Sequence, residues 1–164
     1  MIIREAEEKD ALQVMDILND SILNSIANLD IPIKTLTDTQ AFIHNHRDIH
    51  RMIVAAEDQA VLGFACFSPL YEKAAYAASV EISIYIHKDH RKIGLGRRLM
   101  RELMTFGQKH PQIHTVISKV TNTNEASKRL LDHFGFSYVG TLHEAAVKFD
   151  QLIDVDIFQY IYPR

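Results

Sequence analysis

Between residues 80 and 106 the hydrophobic pattern changes period across one cationic glycine turn, and few folds accommodate such a change. Val80, Ile82, Ile84 and Ile86 alternate with Glu81, Ser83 and Tyr85, the period of two expected of a strand. Leu95, Leu99, Leu103 and Phe106 then form an apolar stripe at helical spacing. The link between them reads Arg91-Lys92-Ile93-Gly94-Leu95-Gly96-Arg97. From His90 to Arg101 there are five basic residues (Arg91, Lys92, Arg97, Arg98, Arg101) and no acidic one. A helix start leaves backbone N–H groups unpaired and partly positive, which suits phosphate. Glycines let the backbone turn sharply and approach an anion, and flanking arginines add charge-assisted bonds. The unit therefore predicts an anion-binding turn; the alternative for a charge run is a solvated helix face.

Two familiar phosphate loops are excluded. No G-x-x-x-x-G-K-[ST] string occurs, and the dinucleotide pattern G-x-G-x-x-G fails because Leu99 stands where its third glycine belongs. What remains is R-x-x-G-x-G after a strand.

The anion this turn would hold is small, because the chain as a whole carries a formal net charge of −3 and offers no general attraction to polyanions. That balance argues against nucleic-acid and membrane partners. At 164 residues, with 47% hydrophobic and 24% charged residues, the chain reads as a single domain over residues 1–164. The lone cysteine, Cys66, excludes an internal disulfide and favours a reducing compartment. With no secretory signal pattern and no run of 18 apolar residues, a cytoplasmic location is expected.

Elsewhere the periodicity predicts a strand at residues 2–5 and a helix over 8–26. A second helix to about residue 48 would be capped by Thr37 or Asp38. A hairpin follows at 52–56 and 61–68, then the strand at 80–86 and the helix at 95–106. Residues 115–120 read as a strand, 124–134 as a helix ending at Gly135, and 136–139 and 153–160 as the last strands. This mixed order predicts an α/β (α+β) arrangement of helices on a sheet. Nine histidines include the i, i+4 pair His46 and His50, but Arg47 stands where a zinc protease has Glu. No metal site is expected, and these histidines read as surface or capping residues. Cys66 reads as a core or half-buried strand residue rather than a nucleophile. Tyr71, Tyr76, Tyr85 and Tyr138 either line a pocket or fill a core.

Arg91-Lys92-Ile93-Gly94-Leu95-Gly96 resembles the acetyl-CoA pyrophosphate loop, Q/R-x-x-G-x-G/A, of the GCN5-related N-acetyltransferase (GNAT) superfamily. Asn124-Glu125-Ala126-Ser127, followed by Phe134-Gly135-Phe136, resembles its second cofactor segment. The strand Val80-Glu81-Ile82-Ser83-Ile84-Tyr85-Ile86 is similar to that of the phosphinothricin and methionine sulfoximine acetyltransferases, which Leu62-Gly63-Phe64-Ala65 and Lys148-Phe149 also fit. The resemblance covers essentially the whole chain. It implies a mixed, mostly antiparallel V-shaped sheet flanked by helices. The strand bearing Glu81 and the next one splay apart around the pantetheine arm, which pairs with main-chain groups of Ile84, Tyr85 and Ile86. Main-chain N–H groups of Arg91, Lys92, Ile93, Gly94, Leu95, Gly96 and Arg97 would hold the pyrophosphate. Asn124 and Ser127 belong to the second segment, where Asn124 is either a pantetheine contact or a helix cap.

The activity implied is transfer of acetyl from acetyl-CoA to the primary amine of a small substrate, with no covalent enzyme intermediate and no metal. Glu81 matches the family's general base, partial burial moving its carboxyl toward the working range; facing solvent beside Ser83 and Tyr85 is its alternative. A backbone N–H near Ile84 would polarise the thioester oxygen. Three positions depart from the pattern. Leu131 replaces the His or Tyr that would protonate the thiolate, leaving His133, Tyr138 or water. Asp150-Gln151-Leu152 replaces an aromatic wall, and Leu29 replaces an aromatic near the first helix. Competing readings are protein or peptide N-terminal acetylation, which an open acidic groove would favour, and a sensor that binds acyl-CoA or an amino acid without turnover. Relatives of this type form dimers, so a homodimer is expected.

Overall fold

The computed structural model describes residues 1–163. Seven strands form one sheet: β1 (Ile2–Glu5), β2 (Met52–Glu57), β3 (Ala60–Pro69), β4 (Ser79–Ile86), β5 (Thr115–Thr121), β6 (Ser137–Lys148) and β7 (Gln151–Ile161). Their order is β1-β2-β3-β4-β5-β7-β6, antiparallel throughout except where β4 meets β5. Helices α1 (Ala11–Asn24) and α2 (Leu36–Asn45) cover one face, and α3 (Leu95–Lys109) and α4 (Glu125–His133) the other.

Alternation along the central strands sorts side chains between these layers. Val54, Phe64 and Cys66 pack with Val14, Leu18 and Ile43 on the α1/α2 face. Ala65, Phe67, Val80 and Ile82 pack with Leu99, Leu103 and Val116 on the α3/α4 face. Gly63 lies opposite Ile86, and a Cβ there would stand 2.9 Å from both the Tyr85 carbonyl oxygen and the Ile86 Cδ1. Only glycine lets β3 and β4 approach this closely.

Three local expectations are corrected. The first helix is shorter than 8–26, because residues 8–10 form a 3₁₀ turn organised by Asp10, whose carboxylate accepts bonds of 2.7 and 2.8 Å from Arg4. Burial opposes ionisation of Asp10, but the Arg4 and Glu7 N–H hydrogen bonds outweigh it and hold the carboxyl below its usual range. Helix α2 is capped by Thr35, two residues before the nearer expected position, Thr37. Thr35 Oγ1 accepts from the Asp38 N–H at 3.1 Å while the Asp38 carboxylate accepts from the Thr35 N–H at 2.9 Å, a reciprocal capping box. Strand β6 extends to Lys148, far beyond the predicted residue 139, in an exposed edge position. Its alternation is interrupted at Glu144, whose φ of 51° marks an irregularity, and its turn uses Phe149 and Asp150 at φ 50° and 57°. Both central residues of that hairpin turn are left-handed, a conformation normally signalled by Asn or Gly.

Candidate active site

β4 and β5 run parallel and pair only at Ser79, Val80 and Glu81, opposite Thr115, Val116 and Ile117. Beyond that point β4 keeps its partner β3 through Ile86, while β5 keeps β7 through Thr121. The edges of β4 and β5 that face each other therefore separate after Glu81 and Ile117, opening a split in the sheet. Ile84, Tyr85 and Ile86 lie on β4 within this split, where an edge without a strand partner offers main-chain groups to an extended ligand.

The cationic turn lies past the end of β4. Gly94, at φ 82°, stands at the N-terminus of α3 with no side-chain cap, and the first turn carries no acidic residue. The first N–H of α3 to reach a carbonyl across this cap is that of Arg98, donating to Gly94 O at 3.2 Å. The N–H groups of Leu95, Gly96 and Arg97 thus face outward from the helix end. Lys92 adopts φ 64°, a left-handed conformation unusual for lysine. Arg91, Lys92, Ile93 and Arg97 are exposed, whereas the Leu95 side chain is buried in the core and anchors the helix start. The Arg91 guanidinium also reaches Asp20 of α1 at 3.5 Å. Asn124 is the N-cap of α4, its Oδ1 accepting from the Ser127 N–H at 3.1 Å, so the capping reading of Asn124 is met.

A cleft of about 460 Å³ lies on the other face of β4, beneath α1, α2 and the segment 30–34. Leu18, Pro32, Ile33 and Phe42 supply apolar wall, and Ser68, Ser83 and Tyr85 supply hydroxyls. Glu81, Ser83 and Tyr85 share this side of β4 by alternation, with Ser68, Cys66 and Phe64 opposite them on β3. Burial pushes the Tyr85 phenol well above its usual range. The Cys66 thiol, fully buried, is pushed up to about 12, which removes it as a thiolate nucleophile.

Glu81 occupies the apex where the split begins, at the last β4–β5 pair. Its side chain is 26% exposed, and Lys119 Nζ of β5 donates to its Oε2 at 3.0 Å. Lys119 also lies 5.6 Å from the Tyr71 ring centroid. Its pairing with Glu81 was not legible in the sequence, because it depends on the parallel register that brings Ile117 opposite Glu81. The cleft itself was equally hidden, since most of its wall comes from α1, α2 and an irregular segment.

Leu131 is buried among the core residues of the α3/α4 face. His133 is exposed, and the exposed Tyr138 hydroxyl lies 2.6 Å from Thr141 Oγ1. Leu152 is exposed near the β6–β7 turn, and neither it nor Leu29 lines the cleft. Tyr71 and Tyr76 stack edge-on outside the core, so of the four tyrosines only Tyr85 lines the cleft. His46 is the C-cap residue of α2 but is buried, not at the surface. Among the described residues no group of three His, Cys, Asp or Glu side chains is arranged to hold a metal ion, and no helix is long and apolar enough to cross a membrane.

A sheet split between two central strands, an uncapped cationic helix start beyond it and a carboxylate at its apex fit the arrangement that the resemblance to the acetyltransferases implies. The chain belongs to the Acetyltransferase (GNAT) family, whose model matches residues 15–136. It is 31% identical over 157 residues to the phosphinothricin N-acetyltransferase of Streptomyces coelicolor, covering 93% of this chain and 91% of that one. It is 27% identical over 162 residues to the L-methionine sulfoximine/L-methionine sulfone acetyltransferase of Salmonella typhimurium, covering 97% and 93%. The structure of yncA from Salmonella typhimurium, solved with its cofactor acetyl-CoA, superposes with a TM-score of 0.95 at 25% identity, covering 100% of this chain and 95% of that chain.

Proposed function

We propose that this enzyme transfers acetyl from acetyl-CoA to the primary amine of a small amino acid or amino-acid analogue, by direct attack in a ternary complex. The observation that carries this reading is the position of Glu81, at the apex of the β4–β5 split and, by alternation, on the side of β4 that faces the cleft. One strand thus presents main-chain groups to the split and side chains to the cleft. The fit of acetyl-CoA to the split is supported by the uncapped N–H groups of α3 for its pyrophosphate and by the free edge of β4 for its pantetheine arm. Asn124 and Ser127 stand at the start of α4, which follows β5, and match the family's second cofactor segment.

In this reading Glu81 removes a proton from the substrate ammonium, since a protonated nitrogen has no lone pair for attack. Lys119 holds the carboxylate from the β5 side. The free nitrogen attacks the thioester carbon, with a main-chain N–H near Ile84 receiving the developing oxyanion charge. The N–C bond forms, the C–S bond breaks, the nitrogen releases its second proton to solvent to become the amide, and the thiolate takes a proton from solvent water, because Leu131 brings no proton donor to the usual place. Much of the rate enhancement then comes from holding amine and thioester in contact.

The cleft volume is of the size that encloses one small molecule, which supports an amino-acid-sized acceptor over an extended peptide. Thiol release from acetyl-CoA, followed across phosphinothricin, methionine sulfone, methionine sulfoximine and the ordinary amino acids, tests the reading. Release with at least one of these acceptors is the expected result. Tight CoA binding without thiol release for any of them would instead identify a sensor, and release only with peptides would identify a peptide acetyltransferase.

A further inference from the structure

We infer that Ser68, its hydroxyl oriented by the buried His46, is a second hydrogen-bond acceptor for the substrate amine and positions that nitrogen beside Glu81. This rests on the reading of Glu81 as the base. Ser68 lines the cleft and stands directly opposite Glu81 in the β3–β4 register. Directly opposed residues of antiparallel strands hold their Cβ atoms about 5 Å apart, so one nitrogen can reach both side chains.

The polarity of the Ser68 hydroxyl follows from its neighbours. His46 Nδ1 lies 2.6 Å from the Phe42 carbonyl oxygen, and His46 Nε2 lies 3.0 Å from Ser68 Oγ. A carbonyl only accepts, so Nδ1 carries the proton. In the neutral ring Nε2 then holds a lone pair, and Ser68 must donate its single proton to it. Burial lowers the His46 pKa, against the opposing Phe42 hydrogen bond, and so favours that neutral ring. The chain of bonds runs Ser68 O–H to His46 Nε2 and His46 Nδ1–H to Phe42 O. With its proton committed, Ser68 Oγ faces the cleft only with lone pairs. Its other polar neighbour is the Cys66 sulfur at 3.9 Å, a weak donor.

An ammonium offers only N–H donors at the moment of binding, and Ser68 and Glu81 offer it only acceptors. Bonding to both leaves the nitrogen with a fixed orientation, so that the lone pair uncovered by Glu81 points in one direction. Ser68 is therefore a contact to the substrate, and His46 is a positioning residue that acts through it.

The test compares Ser68→Ala, Ser68→Thr, His46→Phe and the double variant Ser68→Ala/His46→Phe with wild type and Glu81→Gln. The acceptor is L-methionine sulfone or, if another member of the panel turns over faster, that amino acid. Amine KM, acetyl-CoA KM and kcat are measured, together with calorimetric binding of the amine to the dead-end complex with CoA, which needs no turnover. Ser68→Ala is expected to weaken amine binding and raise its KM about 10- to 100-fold, with the acetyl-CoA KM unchanged. Ser68→Thr, which keeps the hydroxyl, is expected to stay within about threefold of wild type. His46→Phe should resemble Ser68→Ala, and the double variant should be no worse than Ser68→Ala alone, because His46 acts only through the hydroxyl. His46→Gln serves in place of His46→Phe if that variant does not fold. Unchanged amine binding in Ser68→Ala, or losses that multiply in the double variant, would overturn the inference. If Glu81→Gln is impaired while Ser68→Ala is not, only this inference fails. Wild-type rates in Glu81→Gln would instead remove the base on which it rests.

Discussion

At the scale of single residues, the chemistry of the cleft is set by which groups are buried and what they touch. Burial silences the Cys66 thiol, and a carbonyl and a hydroxyl fix the tautomer of His46. The same buried imidazole couples folding to pH. Its pKa is pushed below its ordinary 6.5, chiefly by burial, and that of His50 is pushed the same way. In the window just below pH 6.5 the unfolded chain therefore binds more protons than the folded one, and stability falls as the pH is lowered through that window. The lowered carboxyls of Asp10, Asp38 and Asp154 act further down, below about pH 4. Urea midpoints measured at pH 7.5 and 5.5 should drop for wild type and drop less for His46→Gln. Equal drops in the two proteins would show that His46 is not the coupled group.

At the scale of elements, the β6–β7 hairpin contributes to the cleft indirectly. Lys148, at the end of β6, is buried, and its ammonium donates to the carbonyls of Ser25 and Asn28, the former at 2.8 Å. This ties the hairpin to the segment that leaves α1 and then forms the cleft wall at Asp30, Pro32 and Ile33. Lys148→Met keeps the length of the side chain but leaves both carbonyls without that donor. The expected cost is about 1–3 kcal/mol in unfolding free energy, with a higher KM for the acceptor and an unchanged KM for acetyl-CoA. Equal stability and equal KM values for wild type and variant would refute this linkage. The elements also explain what the sequence disclosed. A period of two along β4 and apolar runs bounded by turns at β2 and β3 located those strands to within a residue or so, because helices cover both faces of the central sheet. β6 lies at an exposed edge, so its alternation is not enforced by a core, and its turn carries Phe149 and Asp150 where glycine or asparagine would have announced it. The glycine turn before α3 was legible because its backbone takes a φ of 82° at Gly94, a conformation that favours glycine. The wall of the cleft, by contrast, is assembled from residues far apart in sequence, such as Leu18, Phe42 and Ser68, whose types are ordinary for their elements.

At the scale of the whole molecule, one sheet carries both the split and the cleft. Its central strands carry the core of both faces, so neither helical layer has an independent core. We expect a single cooperative unfolding transition, with far-ultraviolet circular dichroism and tyrosine fluorescence giving the same midpoint in urea; separated midpoints would indicate two folding units. Glu81 stands where β4 and β5 begin to separate and, by alternation, on the side of β4 that carries the cleft residues Ser83 and Tyr85. The proposed proton transfer depends on this carboxylate. Steady-state rates for Glu81→Gln, with calorimetric binding of acetyl-CoA as the control, test it most directly. The predicted result is a loss of about 10²- to 10⁴-fold in kcat/KM for the amine, with acetyl-CoA binding unchanged. A Glu81→Gln enzyme with wild-type kcat/KM and a wild-type pH profile would contradict it.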